Sequence, residues 1–390
     1  MKAVICKDKT LRVVDKANPQ PGKGHVLLNV LRCGICGSDL HARTHCDHWA
    51  DLMAKTGYPQ FMRSSEEVIL GHEFCGEVVE HGLGCTKAIK PGTRVVALPI
   101  RRQGQAVDML GFTARSAGAY AEQVVVEESL MLPVPNGLSS DLAALTEPMA
   151  VGYHAVRRGE VPKDGVAIVI GCGPVGLSII SVLKAQGVRT VIASDFSAGR
   201  RALAKQCGAD IVIDGSTDTP FKNWDDYGFI GDLSANFELG VSTREKLGKL
   251  PFPWWHTWRV AETLGFAEPK RPVIFECVGA PNILQHIING APLYARIVVV
   301  GVCMAADRIE PAMAINKEID LRFVLGYTPL EFRDCLHMIA EGKLDCAPLI
   351  TGVVGLEGVE NAFSALGDPE KHAKILIDPQ SRAIQPVPVQ

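Results

Sequence analysis

A thiol, an imidazole and two carboxylates stand ahead of a single glycine-rich turn in this chain. Cys36, the adjacent pair His72 and Glu73 and, after a long gap, Glu147 precede Gly171-Cys172-Gly173-Pro174-Val175-Gly176. Borderline metals such as zinc accept sulfur, nitrogen and oxygen donors together, whereas structural zinc sites are built mostly from closely spaced cysteine pairs. A mixed, scattered donor set therefore points to a metal that takes part in chemistry. Cys33 and Cys36 form a Cys-x-x-Cys pair that could alone be a redox pair or half of a zinc knuckle; no second pair completes the knuckle.

The glycine turn follows an apolar strand-like run, 167–170, and opens a helix-like run, 175–186. Gly171 makes the tight turn, and Gly173, Pro174, Val175 and Gly176 begin a helix whose free N–H groups suit a pyrophosphate. Asp195, 19 residues beyond Gly176, closes the next strand, where a carboxylate binds adenosine ribose hydroxyls and repels a 2′-phosphate. NAD is thus expected over NADP. Arg200 is a candidate for a phosphate contact, although it and Arg201 read more simply as solvated helix charges. Val278 with Gly279, and Gly301 with Val302, end later strands and offer backbone groups to a nicotinamide amide.

The elements that must position these residues fall into two textures. Short β-rich runs at 2–6, 11–14, 25–30, 74–80, 93–98 and 121–126 are punctuated by Gly and Pro, as in a compact β domain. From Gly165 strands alternate with helices, and further strands at 273–277, 295–300 and 321–326 extend a parallel sheet to about six strands. Helix, then strands at 349–354 and 373–377, follow Phe332. Between Asp214 and Val273 lies a stretch far longer than a crossover needs, with four of the chain's five tryptophans. It reads as a lid over the substrate cleft, an arm embracing a neighbouring subunit or a self-contained cluster. An insert after the third strand leaves from the adenosine half of the crevice, which favours the arm.

At 390 residues, two domains are expected. A net charge of -3 without long like-charged blocks argues against nucleic acid or an anionic membrane as partner. No signal-peptide pattern or membrane helix is visible, and the twelve cysteines are scattered as reduced thiols would be, so a cytoplasmic location is expected. Between the two ligand motifs, 41–65 holds His45, Cys46 and His48; a solvated or substrate-facing loop is the simpler reading than a further metal site.

The segments Cys33 to His41 and Gly71-His72-Glu73, with Lys90-Pro91-Gly92-Thr93-Arg94-Val95 and Thr146-Glu147-Pro148-Met149-Ala150-Val151-Gly152, resemble the zinc-containing medium-chain alcohol and polyol dehydrogenases nearly letter for letter. The resemblance spans most of the chain outside the aromatic insert. It implies an α/β protein: a β-rich GroES-like catalytic domain at 1–155, a doubly wound Rossmann domain at 156–332 with the insert at about 218–258, and a segment at 333–390 returning to the catalytic domain. It implies zinc on Cys36, His72 and Glu147, with Glu73 a close or exchanging ligand. Ser38 and His41 would carry the proton out, and hydride would pass to NAD from a secondary alcohol or polyol. Glutamate at 147 places the chain in the sorbitol-dehydrogenase-like branch. The four-cysteine lobe of many relatives is missing, since 97–119 has no cysteine, so one zinc per subunit is expected. The partners implied are a small alcohol or ketone and further copies of the chain, as homodimer or homotetramer. Two readings compete: a zinc-free quinone or enoyl reductase on the same scaffold, and a catalytically idle nucleotide-binding protein.

Overall fold

Strand His25–Gly34 lies antiparallel to strand Glu73–His81, and their register sets the site. Cys33 pairs with Phe74 and Gly34 with Glu73. The chain leaving the first strand toward Cys36 therefore passes beside the chain arriving at the second through His72. Val26, Leu28 and Val30 point into the core, and Leu27 between them is buried as well, so the start of this strand is covered on both faces. The computed structural model describes residues 1–388. Strand Lys374–Ile377, from near the C-terminus, pairs with His25–Gly34 and completes the seven-stranded sheet with strand Ile350–Val354.

The second sheet has six parallel strands in the spatial order Ile211–Asp214, Thr190–Asp195, Val166–Ile170, Val273–Glu276, Arg296–Val299, Asp320–Phe323. Its central strands are apolar on both faces because helices cover both. The order reverses between Val166–Ile170 and Val273–Glu276, which opens a crevice at the carboxyl ends of the strands.

Two expectations are corrected. Residues 41–55 are not a loop: a helix runs Gly37–Lys55, bent at His45. Ala42, Cys46 and Ala50 recur on its buried face, and that spacing turns His45 and His48 outward to solvent, away from Cys46. These three cannot converge on a metal. The aromatic insert is also misplaced by the expectation. It folds into helices Leu233–Leu247 and Trp254–Thr263, and it stands by the amino ends of the strands, not near the adenosine half of the crevice. The Leu293 N–H donates to the Ile230 carbonyl in the turn that feeds strand Arg296–Val299, and the chain then enters Val273–Glu276 at its start. A parallel crossover has to cross to the amino edge before its next strand, and the insert sits on that far side.

Candidate metal centre and nucleotide crevice

Cys36 occupies the N-cap of helix Gly37–Lys55, where the unpaired helix N–H groups favour a thiolate. Its own N–H donates to Asp39 Oδ2 at 2.9 Å. That oxygen also accepts the buried Tyr120 hydroxyl at 2.7 Å, so the first helical turn is pinned to the sheet domain. Gly71, at φ +99°, presses against Tyr120 and Cys33, where a side chain would not fit; it turns the chain so that His72 faces Cys36.

Donor atoms of Cys36, His72 and Glu73 lie within 4.8 Å of one another, the single such group among the described residues. The set of thiolate, imidazole and carboxylate suits zinc, and its geometry is half built. Ser38 Oγ is 3.2 Å from His72 Nε2, which places that nitrogen on the cavity side. On the other side His72 Nδ1 and Asp39 Oδ1 are buried, otherwise unpartnered, and 3.4 Å apart. A carboxylate behind an imidazole in this way fixes ring orientation and raises its basicity toward a metal. Burial alone would pull the His72 imidazole down, but Asp39 and the Cys36 sulfur hold it well above its ordinary range. Burial pushes the Cys36 thiol up, with the Glu73 carboxylate acting in the same direction.

Glu73 is committed elsewhere. Both its oxygens accept from Lys374 Nζ at 2.7 Å, and both side chains are essentially inaccessible. Gly34 makes room: its missing Cβ is where Glu73 Oε2 lies. Lys374 also donates to the Ile35 carbonyl at 3.0 Å, so strand Lys374–Ile377 clamps the metal loop. Glu147 lies outside the three-residue group, at the start of helix Thr146–Gly159, buried and within electrostatic reach of His72 and Glu73. Burial pushes its carboxyl up to about 7; His72 acts against this, and Glu73 adds to it. Tyr327 lies beside Glu147, draws its carboxyl down against the effect of burial, and is itself driven well above its usual range by burial and that carboxylate. His41, one helical turn beyond Ser38, is half-buried, with its ring centroid 6.4 Å from that of His45. Burial and then His45 lower its pKa.

At the glycine turn, Gly171 has φ +91° and Gly176 packs directly on the Gly171 carbonyl, where a Cβ would be 1.9 Å from the oxygen. Gly173 faces open space at the N-cap of helix Pro174–Ala185, with Pro174 at the first helical position and Val175 next. The cradle has room for a phosphate. Asp195 accepts the Cys172 N–H at 2.7 Å and the Ser197 N–H at 2.8 Å, which ties the turn to the second strand. Arg200 Nε is buried without a partner. Across the crevice Val278 packs against Gly171, and Gly279 abuts Gly301 and Val302. The buried Glu276 carboxylate accepts the Val278 and Gly279 N–H groups at 2.7 and 2.8 Å, and a cavity of about 410 Å³ opens beside them.

Sequence reasoning missed Lys374, Tyr327 and Glu276. Lys374 had one available signal: a lone lysine inside the apolar run Ala373-Lys374-Ile375-Leu376-Ile377 has to be paired if that run is a core strand. Tyr327 carried none.

Residues 22–136 match the family described as alcohol dehydrogenase GroES-like domain. The chain is 30% identical over 383 residues to a (R,R)-butanediol dehydrogenase of Bacillus subtilis, covering 96% of this chain and 97% of that one. It is 26% identical over 372 residues to a sorbitol dehydrogenase of Gallus gallus, covering 92% and 91%. The crystal structure of 2R,3R-butanediol dehydrogenase from Bacillus subtilis superposes with a TM-score of 0.73, covering 97% of this chain and 99% of that one.

Proposed function

Since the chain belongs to the zinc-dependent medium-chain dehydrogenases, we propose that it oxidises a secondary alcohol, a vicinal diol or polyol in particular, to a ketone with NAD. The observation that carries this reading is the convergence of Cys36, His72 and Glu73 beside the Ser38 hydroxyl, in a chain that also holds an open glycine cradle. Relatives named for butanediol and for sorbitol oxidation support the substrate class.

Cys36 Sγ and His72 Nε2 would hold zinc with the Glu147 carboxylate as third ligand, and Glu73 is the exchanging one, released only if Lys374 lets go. Bound there, zinc supplies a Lewis acid that eases loss of the substrate's hydroxyl proton. Ser38 accepts that proton. His41, kept neutral near pH 7 by its lowered pKa, takes it onward to solvent. NAD, when bound, would supply the hydride acceptor for the carbinol C–H, so that alcohol and NAD would give ketone, NADH and one proton. Backbone groups at Val278, Gly279, Gly301 and Val302 orient the nicotinamide, the Gly173–Gly176 helix start takes the pyrophosphate, and Asp195 takes the ribose, which favours NAD. Arg200, whose Nε is buried without a partner, is the candidate for a phosphate contact.

We further assign one zinc per subunit. Residues 97–119 form a hairpin, Ile100–Gln103 with Ala106–Met109, whose buried Asp108 is held by Ser116 and Arg115 in place of thiolates. All twelve cysteines are free, as a reducing cytoplasm requires, and no helix among the described residues is long and apolar enough to cross a membrane. The chain works as a homo-oligomer. The test is NADH formation from a panel of secondary alcohols, diols and polyols, with NAD and with NADP, before and after chelation, alongside metal analysis. Turnover that survives complete zinc removal would overturn the reading.

A further inference from the structure

His45, turned away from Cys46, shares a face of helix Gly37–Lys55 with His41 one turn earlier, since residues four apart on a helix stand above one another. The helix bends at the second of them. The Thr44 hydroxyl donates back to the Leu40 carbonyl at 2.9 Å, a bond that competes with the backbone ladder, and His45 takes φ -128° and ψ 16°. Across this bend the two rings stand 6.4 Å apart, centre to centre, with their planes 39° from parallel.

Both rings have nitrogens to offer. Among the described residues the histidine rings that meet hydrogen-bond partners are those of His25, His72 and His154, so neither His41 nor His45 is committed to a protein group. His45 is exposed and His41 half-buried, within reach of solvent. Burial and then His45 lower the His41 pKa, which keeps it near pH 7 as the neutral imidazole that ligates metals. Arg43, the cation between them in sequence, is held by Glu360 and the Lys9 carbonyl. Zinc–nitrogen bonds of about 2.0–2.1 Å put two ring centres roughly 5–6 Å apart on one ion, so a shift of about 1 Å by the exposed His45 ring closes the pair.

We propose that His41 and His45 form a second, exchangeable site for zinc or a similar divalent cation, and that an ion bound there inhibits the enzyme. The ion takes the lone pair on which His41 would receive the proton coming from Ser38. Two protein ligands are fewer than the three of catalytic or the four of structural zinc sites, so this ion binds only when free zinc is in excess and leaves on dialysis. The one zinc per subunit assigned above is the tightly held one. The site stands on the ring geometry, whereas the inhibition rests on the proton path of the proposed function.

The experiment titrates zinc chloride into the full-length enzyme carrying its catalytic zinc, by calorimetry in a non-chelating buffer, and follows NADH formation over the same range. The wild type should bind one further zinc per subunit and lose turnover as it does so. His45→Ala should keep wild-type turnover without added zinc, and should weaken both binding and inhibition at least about tenfold, the least that removing even a supporting partner of a metal ligand costs. His48→Ala, a turn beyond His45 and also exposed, should change neither. Binding equal in the wild type and H45A, or weakened as much in H48A, would overturn the site. A further zinc that is lost in H45A yet never slows the wild type would overturn the inhibition and count against His41 as the proton exit. The calorimetric arm is independent of turnover, which separates failure of the site from failure of the proposed function.

Discussion

Lys374→Met should expose how the metal loop is held. The substitution keeps the length of the side chain and removes its charge. It leaves the Glu73 carboxylate, fully buried, without the ammonium that both its oxygens contact at 2.7 Å, and strips the Ile35 carbonyl of its donor. Removing one partner of a buried ion pair costs about 3–5 kcal/mol, because the remaining charge keeps its desolvation penalty. If the loss falls on the catalytic domain alone, of the order of 200 residues, its midpoint drops by roughly 6–20 °C. The assay is thermal unfolding of zinc-free protein, followed by a signal from the catalytic domain.

The double variant E73Q/K374M removes both charges, and it should recover most of the loss, since replacing a whole buried pair is often nearly neutral. Zinc should also stabilise K374M by more than it stabilises the wild type, because the freed Glu73 can turn to the metal. A double variant that simply adds the losses of E73Q and K374M would refute the pair. So would a K374M midpoint equal to that of the wild type.

Glu147, its carboxyl raised to about 7 by burial, should set a pH dependence in the zinc-free protein. The folded pKa lies above the unfolded value, so the folded state binds more protons and stability declines as pH rises from about 4.5 through 7. Glu147→Gln removes that slope, and the difference between the two unfolding midpoints should grow across this window. Glu276→Ala releases the Val278 and Gly279 amides and should weaken NADH binding at least about tenfold, one charge-assisted hydrogen bond's worth. ADP-ribose affinity should be unchanged in titration calorimetry; an equal loss for both ligands would mean general damage to the domain. His41→Gln should lower kcat on the order of a hundredfold near neutrality. The deficit should narrow at alkaline pH, and a pH-independent deficit would remove His41 from the proton path.

What could be read from the sequence was what local chain geometry encodes. Gly71-His72-Glu73 and Cys36-Gly37-Ser38 lie at the ends of two strands that pair, so a few residues on either side determine where the donors point. The glycine turn is equally local. The helix Gly37–Lys55 also has its signal in the sequence, where Ala42, Cys46 and Ala50 follow a helical period across a segment whose polar residues otherwise read as a loop. The position of the arm needed topology, not residues: a parallel strand is entered from its amino end, so the insert belongs where the chain arrives and not where it leaves. Lys374 and Glu73 are 301 residues apart, and no pattern on either side links them. Yet the pair follows from two facts in combination, a strand too apolar to be exposed and a lysine within it that has to find a carboxylate there. Glu73 is that carboxylate because Gly34 leaves it space, so the donor that the sequence offers to zinc is also the one the fold uses to bind its own C-terminal strand.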